Sequence, residues 1–213
     1  MRPHYTDSVM DIFKIKCGPY DNNAYVVRCK NTNESLIIDA PLDPGELVAI
    51  ASTTNVKFIL ITHGHMDHVL GFEEVISEFN VAVGIGSPDA DAISENEYFP
   101  LIDCNQITIG QIDVDVIGTP GHTDGSTCFK VGKHVFTGDT LFPGGPGKTG
   151  SPSDLSAILS SITSKLFTLS PDSVFHPGHG DDGLLGEAIR EYDIFIGRDH
   201  PEDLCGDVLW MSS

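Results

Sequence analysis

Apolar and polar positions alternate in short runs along this chain, and glycine or proline residues separate the runs. Apolar runs of roughly 4–8 residues, set between amphipathic stretches, predict a layered α/β structure. Three consecutive strands are predicted first, over residues 11–16, 24–29 and 35–39. A helix is predicted over 41–52, with Asp43 as its N-cap and Pro44 at its first position.

The same alternation continues to residue 196. The run KFILI (57–61) is continuously apolar, as in a strand buried on both faces, and a helix follows at 68–79. Further strands are predicted at 81–85, 105–109, 112–117 and 173–176, with a hairpin of 126–131 and 133–138 that turns at Gly132-Lys133. Further helices are predicted at 88–94, 153–168 and 183–196. Residues 198–213 have no clear periodicity.

Length and charge limit the function classes. A chain of 213 residues suits a single α/β domain over 1–213, with a core of 11–196 and a tail of 197–213. The net charge is −19, which disfavours nucleic acid as a partner and leaves a small molecule as the expected one. We expect no membrane span, because no apolar run approaches ~18 residues. The first residues lack the apolar stretch of a signal peptide, so the cytoplasm is the expected location.

Polar residues capable of chemistry follow the ends of four predicted strands. These clusters lie at 63–68, 119–124, 138–140 and 176–180. In open α/β folds the rim at the strand ends is where sites form, so the four loops are predicted to converge on one cleft.

The hexapeptide His63-Gly64-His65-Met66-Asp67-His68 contains three imidazoles and a carboxylate, donors that suit zinc, iron or manganese. On a tight loop, His63 and His65 can face one metal while Asp67 and His68 face another. Four ligands do not complete two coordination shells, so other loops must contribute. The candidates at the remaining strand ends are His122, Asp139 and His179.

The motifs HxHxDH, TPGHT, FTGDTLF and PGHG, in this order over about residues 11–196, resemble the metallo-β-lactamase superfamily. That resemblance implies an αββα sandwich with two divalent metals at one rim, zinc being favoured and iron or manganese being open. It places His63, His65 and His122 at the first metal. It places Asp67, His68 and His179 at the second metal, with Asp139 between the two.

Two such cations lie about 3.5–4 Å apart, lower the pKa of a bound water and polarise a carbonyl group. We expect Asp67 to orient the resulting hydroxide or to move its proton. The presence of Asp139 resembles glyoxalase II, related thioesterases and lactonases, because true β-lactamases lack it. The resemblance therefore implies a compact glyoxalase II-like hydrolase of a thioester or ester.

Lys148 stands where the glyoxalase II pattern has a basic residue that contacts glutathione. It is a candidate anion contact, with a solvated loop lysine as the alternative. The chain departs from that pattern at Thr149 and Gly150, where the family places aromatic residues. We also expect it to lack the helical C-terminal domain that completes the glutathione site. The acyl substrate therefore stays open.

Two other functions remain as alternatives. One is a persulfide dioxygenase-like oxidoreductase with a single iron, and the other is a lactonase or weak promiscuous β-lactamase. Among the remaining histidines, His4, His134 and His200 are expected at the surface. For His176 two roles stay open: it supports a metal ligand, or it packs at a strand end. For Trp210 two roles also stay open: it covers an apolar patch, or it lines the cleft.

Overall fold

The first sheet carries the N-terminal half of the chain. The computed structural model describes residues 2–93 and 96–213. In spatial order, which is also chain order, the strands of this sheet are β1 (Tyr5–Thr6), β2 (Met10–Cys17), β3 (Asn22–Cys29), β4 (Glu34–Ile38), β5 (Asn55–Leu60), β6 (Ala82–Ile85) and β7 (Phe99–Pro100). Neighbouring strands are antiparallel from β1 to β4 and parallel from β4 to β7.

The second sheet carries the C-terminal half. Its strands are β8 (Gln106–Ile109), β9 (Ile112–Gly118), β10 (Thr127–Val131), β11 (His134–Gly138), β14 (Val174–Pro177) and β15 (Gly183–Leu184). A separate small hairpin pairs β12 (Leu141–Phe142) with β13 (Gly145–Pro146). The spatial order is β15-β14-β11-β10-β9-β8, and only the β11–β14 pair is parallel among the described residues.

Helices cover the outer faces of both sheets. The helices that connect strands of the first sheet are α1 (Gly45–Ala51), α2 (Met66–Val69), α3 (Phe72–Phe79) and a 3₁₀ helix (Ser87–Ile93). The second sheet carries α4 (Pro152–Ser161), which continues as a π-helical turn (Ile162–Leu166), and α5 (Leu185–Ile196).

Alternating side chains along each strand divide the core into three layers. The layer between the sheets includes Ile12, Tyr25, Leu36, Val114, Phe129 and Phe136. Outside the first sheet, Leu47 of α1 and Phe72 of α3 pack on the opposite face of the same strands. Outside the second sheet, Ile158 of α4 and Phe195 of α5 do the same. The αββα sandwich implied by the sequence resemblance is therefore confirmed.

The predicted helix 68–79 is wrong in one respect, because the chain forms α2 and α3 with a break between them. The carbonyl of His68 accepts a hydrogen bond from the backbone N–H of Ala40, and the N–H of Gly71 donates to the carbonyl of Ala40. A Cβ at Gly71 would lie 2.1 Å from the Pro41 carbonyl oxygen, so only glycine permits this approach. The break holds His68 against the end of β4.

Smaller differences occur at other ends. The predicted N-cap Asp43 is wrong: it has φ of 56°, the N-cap position is Pro44, and no side chain caps the helix. An N-cap needs an extended backbone, which Asp43 does not have. The predicted helix 88–94 is a 3₁₀ helix that ends at Ile93, and Ser94 lies outside the described residues. The predicted helix 153–168 changes to the π-helical turn after Ser161.

The tail packs on the second sheet's helical layer. Trp210 is fully buried, with ring centroids 6.0 Å from Phe167 and 5.8 Å from Tyr192, so it covers an apolar patch. Leu209 next to it is exposed. Across residues 2–93 and 96–213, no helix has the length and apolar character that crossing a membrane requires.

Candidate metal centre

The structure brings together all seven residues that the sequence singled out as metal ligands. They come from loops that leave the two sheets at the same edge. His63 and His65 follow β5, Asp67 and His68 lie in α2, His122 follows β9, Asp139 follows β11 and His179 follows β14.

His63, His65 and His122 form the first group. Their ring centroids are 4.5–4.9 Å apart, each pair edge to face. One ring nitrogen from each lies within 4.8 Å of the others, which is close enough for a shared metal ion. His63 is buried and His65 is exposed, so this group opens to solvent on one side.

Asp67, His68 and His179 form the second group, with ligand atoms again within 4.8 Å of one another. The distance from His179 Nε2 to Asp67 Oδ2 is 3.1 Å. Asp139 lies between the groups. Its Oδ1 is 3.4 Å from His68 Nε2, and its Oδ2 is 3.7 Å from both His122 Nε2 and His179 Nε2.

Unpaired buried polar atoms mark the space between the groups. Among the described residues, His63 Nε2, His68 Nε2, His122 Nε2 and Asp139 Oδ1 are buried and have no hydrogen-bond partner. An unsatisfied buried polar group costs about 1–3 kcal/mol, so four of them at one place need a partner. Imidazole nitrogens with a carboxylate fit divalent transition metals. These residues therefore fit the two metals that the sequence implies.

Gly178 keeps this space open. A Cβ on Gly178 would lie 2.4 Å from Asp139 Oδ1 and 2.5 Å from His68 Cε1. Any side chain would therefore occupy the cradle between the second histidine group and Asp139. The glycine of the PGHG motif has a steric role beside the ligands.

Asp39 supports the centre from beneath, and the sequence analysis did not identify it. This buried carboxylate accepts hydrogen bonds from the N–H of Thr62 (2.8 Å) and from the hydroxyl of Thr62 (2.8 Å), and it lies 2.9 Å from Nδ1 of His68. An ionised carboxylate only accepts, so His68 Nδ1 carries a proton and Nε2 is the nitrogen left to bind a metal. Asp39 ends the predicted strand 35–39, so the strand-end rule that found the ligands also applied to it.

Backbone carbonyls fix two more imidazoles. His122 Nδ1 lies 2.7 Å from the carbonyl oxygen of Lys148, and His179 Nδ1 lies 3.0 Å from that of Tyr20. Carbonyls only accept, so each of these rings carries a proton on Nδ1 and has Nε2 left to bind a metal. The amide of Asn22 donates to Asp67 Oδ2 at 2.8 Å and orients that carboxylate. Asn22 and Tyr20 gave no sequence motif, because their role depends on tertiary contacts.

Asp89 ties two ligand loops together. Its Oδ2 accepts from the N–H of Gly64 (2.8 Å) and from the hydroxyl of Thr123 (2.6 Å), and its Oδ1 accepts from the N–H of Gly125 (3.1 Å). Gly64 lies between His63 and His65, and Thr123 follows His122. One side chain from the 3₁₀ helix thus fixes the spacing of the first group.

The local electrostatics suit ligands. Burial opposes ionisation of Asp139, but the histidines around it, His68 first, hold its pKa well below the usual range. Burial lowers the pKa of His63 and keeps that ring neutral. For His68, burial also lowers the pKa, but Asp39 and Asp139 outweigh it and raise the pKa to about 10. Metal binding at His68 would therefore release a proton.

Lys148 has a different main contact from the one expected. Its carbonyl supports His122, while its side chain is 68% exposed, with Nζ 3.9 Å from Asp207 Oδ2. Contact between this ammonium group and a substrate anion stays a prediction.

The predicted surface position of His134 is wrong, because the residue is 2% exposed and packs against Tyr5.

Comparison with known proteins points to one family. A family model described as the metallo-beta-lactamase superfamily matches residues 17–182. The "Probable hydroxyacylglutathione hydrolase glo2" of Schizosaccharomyces pombe is 32% identical over 174 residues, covering 76% of this chain and 65% of that protein. "Hydroxyacylglutathione hydrolase GloC" of Haemophilus influenzae is 31% identical over 162 residues, covering 64% of this chain and 74% of that protein. The chain thus spans less than two thirds of the length of the Schizosaccharomyces pombe relative.

Solved structures share the fold. The structure described as TTHA1623 in a di-iron-bound form matches with a TM-score of 0.71 and 28% identity, over 84% of this chain and 97% of that one. The description of that structure names two iron ions.

Proposed function

This chain belongs to the metallo-beta-lactamase superfamily, and we propose that it is a glyoxalase II-like hydrolase that cleaves a small thioester or ester with two divalent metals. The observation that carries the proposal is the position of Asp139 between two histidine groups, within 3.4–3.7 Å of a nitrogen from each. Zinc is favoured, and iron or manganese remain open, because imidazole and carboxylate accept all three.

Bound metals would supply a water of lowered pKa and a polarised substrate carbonyl. The chain's own part is to hold the ligands in one geometry and protonation state. Asp39 holds Nδ1 of His68. The carbonyls of Tyr20 and Lys148 hold Nδ1 of His179 and His122, so that each ring has Nε2 left for a metal. Such supporting contacts commonly change metal affinity or activity by about 10–100-fold.

Asp67 is the residue we propose for orienting the attacking water and moving its proton. It is half-buried, with its Oδ2 held by Asn22 and 3.1 Å from His179 Nε2. Burial raises its pKa, but the amide of Asn22 and the nearby histidines outweigh this and lower it, so the carboxylate is ionised at neutral pH. An ionised carboxylate can accept a proton from water or fix its orientation.

The partner we propose is a small acyl molecule rather than a nucleic acid. The chain has 31 acidic and 12 basic residues, and such a charge repels a phosphate backbone. Lys148 is proposed as an anion contact, although Asp207 competes for its ammonium group. The cytoplasm remains the proposed location.

The proposal is tested by a substrate panel on the purified protein, assayed as isolated, after chelation and after adding back Zn²⁺. The panel contains a glutathione thioester, a simple thioester, an aryl ester, a lactone and a β-lactam. We expect hydrolysis of a thioester or ester that chelation removes and Zn²⁺ restores. No hydrolysis of any member by the Zn²⁺-loaded protein would overturn the proposal.

A matched pair of variants locates the activity. His63→Gln removes an imidazole from the first group, and His200→Gln makes the same change at a ring that stacks on Phe195 in the C-terminal region. Activity should fall to background in the first variant and persist in the second. Oxygen uptake with a persulfide substrate by an iron-loaded sample, without hydrolysis, would favour the dioxygenase alternative instead.

A further inference from the structure

A second cluster of metal-ligand side chains lies at the outer end of the second sheet and uses none of the seven residues above. It consists of His4 before β1, His176 in β14 and Asp182 in the β14–β15 loop. Asp182 Oδ2 is 2.6 Å from His4 Nε2 and 3.0 Å from His176 Nδ1. All three donor atoms lie within 4.8 Å of one another. Two imidazoles and a carboxylate therefore converge on one point.

The two less exposed members of this cluster, Asp182 and His176, are each held by another side chain. Lys14 Nζ donates to Asp182 Oδ1 at 2.7 Å, which leaves Oδ2 to face the two imidazoles. His176 Nε2 lies 2.9 Å from Nδ1 of His134, and both rings are buried. Metal-binding histidines and carboxylates in proteins are usually fixed in this way through their other polar atom. The cluster thus has the outer support that ligand sets have.

His176 also carries an unpaired atom that points into the cluster. The residue is 1% exposed, and its Nδ1, which lies 3.0 Å from Asp182 Oδ2, has no hydrogen-bond partner within the described part of the chain. A buried nitrogen without a partner costs about 1–3 kcal/mol. A cation at this point would satisfy it. His4 is 40% exposed, so solvent and ions reach the cluster from that side.

We propose that His4, His176 and Asp182 bind a divalent transition metal at a second site, separate from the hydrolytic centre. Zinc with bonds of about 2.0–2.2 Å places tetrahedral ligand atoms roughly 3.3 Å apart. His4 Nε2 lies 2.6 Å from Asp182 Oδ2, so it has to move outward by about 0.7 Å to reach that spacing, and its exposed position permits this. Water takes the remaining coordination position. The metal then ties the segment before β1 to the loop that follows the PGHG motif.

The donor set predicts which ions bind. Imidazole with one carboxylate suits zinc, iron and manganese, whereas magnesium and calcium prefer oxygen ligands alone. Excess Mg²⁺ should therefore leave Zn²⁺ binding unchanged. Lys14 can keep its hydrogen bond to Asp182 Oδ1 while the metal binds Oδ2, so the metal does not have to displace the lysine ammonium group.

The experiment counts Zn²⁺ equivalents on metal-free protein by competition with a chromogenic chelator. Wild-type protein should bind one equivalent more than His4→Gln and one more than Asp182→Asn. His200→Gln, which removes an imidazole outside both clusters, should match the wild type. Circular dichroism checks that each variant is folded, and His4→Gln replaces an exposed side chain near the chain end.

Equal numbers of Zn²⁺ equivalents in wild type and folded His4→Gln would overturn this proposal. The count does not rest on the proposed hydrolase function, because it is a difference between two proteins with the same hydrolytic centre. If no substrate is hydrolysed, the extra equivalent can still be found. If hydrolysis is found without the extra equivalent, only the outer site fails.

Discussion

Replacing Asp39 with Asn should weaken metal binding at the second group while leaving the backbone in place. Asp39 has φ of 61°, and Asn is among the few residues that tolerate this left-handed region. The amide oxygen can still accept from the N–H of Thr62. The amide nitrogen then faces Nδ1 of His68, where the wild type has a carboxylate oxygen 2.9 Å away. Since that nitrogen only donates, His68 must turn its lone pair to Nδ1.

The magnitude follows from that tautomer change. With Nδ1 accepting, the neutral ring of His68 has to keep its one proton on Nε2, the atom 3.4 Å from Asp139 Oδ1 where a metal would bind. Loss of such a supporting contact typically lowers metal affinity by about 10–100-fold. That corresponds to about 1.4–2.8 kcal/mol of binding free energy. Binding at His63, His65 and His122 should change much less.

The assay is Zn²⁺ affinity by chelator competition on metal-free protein, resolved into separate binding steps. Asp11→Asn is the matched control, because it makes the same change at another buried aspartate, one that contacts Thr6 and Arg28 and no member of the centre. Asp39→Asn should weaken one step by at least about 10-fold, and Asp11→Asn should weaken none. An Asp39→Asn protein that is folded and binds every equivalent as tightly as wild type would refute the tautomer argument.

Three other changes have defined outcomes. Gly178→Ala should lower the metal content of purified protein by about one equivalent in elemental analysis, because its Cβ would lie 2.4 Å from Asp139 Oδ1; unchanged content would contradict the steric role. Asp89→Asn should lower kcat/KM by about 10–100-fold by releasing the loops on both sides of the first group, and a value within twofold of wild type would contradict it. Asp11→Asn should lower the free energy of unfolding in urea by about 1–3 kcal/mol at pH 7, measured as the gap from wild type. Burial raises the pKa of Asp11, but Thr6 and Arg28 outweigh it and lower the pKa, so this gap should persist above about pH 4 and shrink as pH falls below it; a gap that stays constant down to pH 3 would be inconsistent with the ion pair.

The sequence predicted the ligands because they lie in short loops at strand ends, where residue type and position are both visible in the pattern. His63, Asp139 and His179 each follow a strand whose apolar run is unambiguous. The strands of four or more residues in both sheets were predicted for the same reason, since alternation along a strand is a local property. Short two-residue strands such as β1 and β7 carry no such pattern and were missed.

Other features depended on contacts between distant segments. The division of 68–79 into α2 and α3 depends on Ala40, which pairs with both sides of the break. The support of His122 by Lys148 is made by a backbone carbonyl, which no residue type reveals. His134 lies in a strand whose two faces are both covered, so the surface position expected from its polarity was wrong.

A crystal structure of the Zn²⁺-loaded protein, with anomalous data collected at the zinc edge, would decide whether this is a two-metal centre. We predict two anomalous peaks about 3.5–4 Å apart, with Asp139 in contact with both. One peak should lie among His63, His65 and His122, and the other among Asp67, His68 and His179. A single peak in the cleft, or two peaks with Asp139 bound to neither, would contradict the binuclear hydrolase.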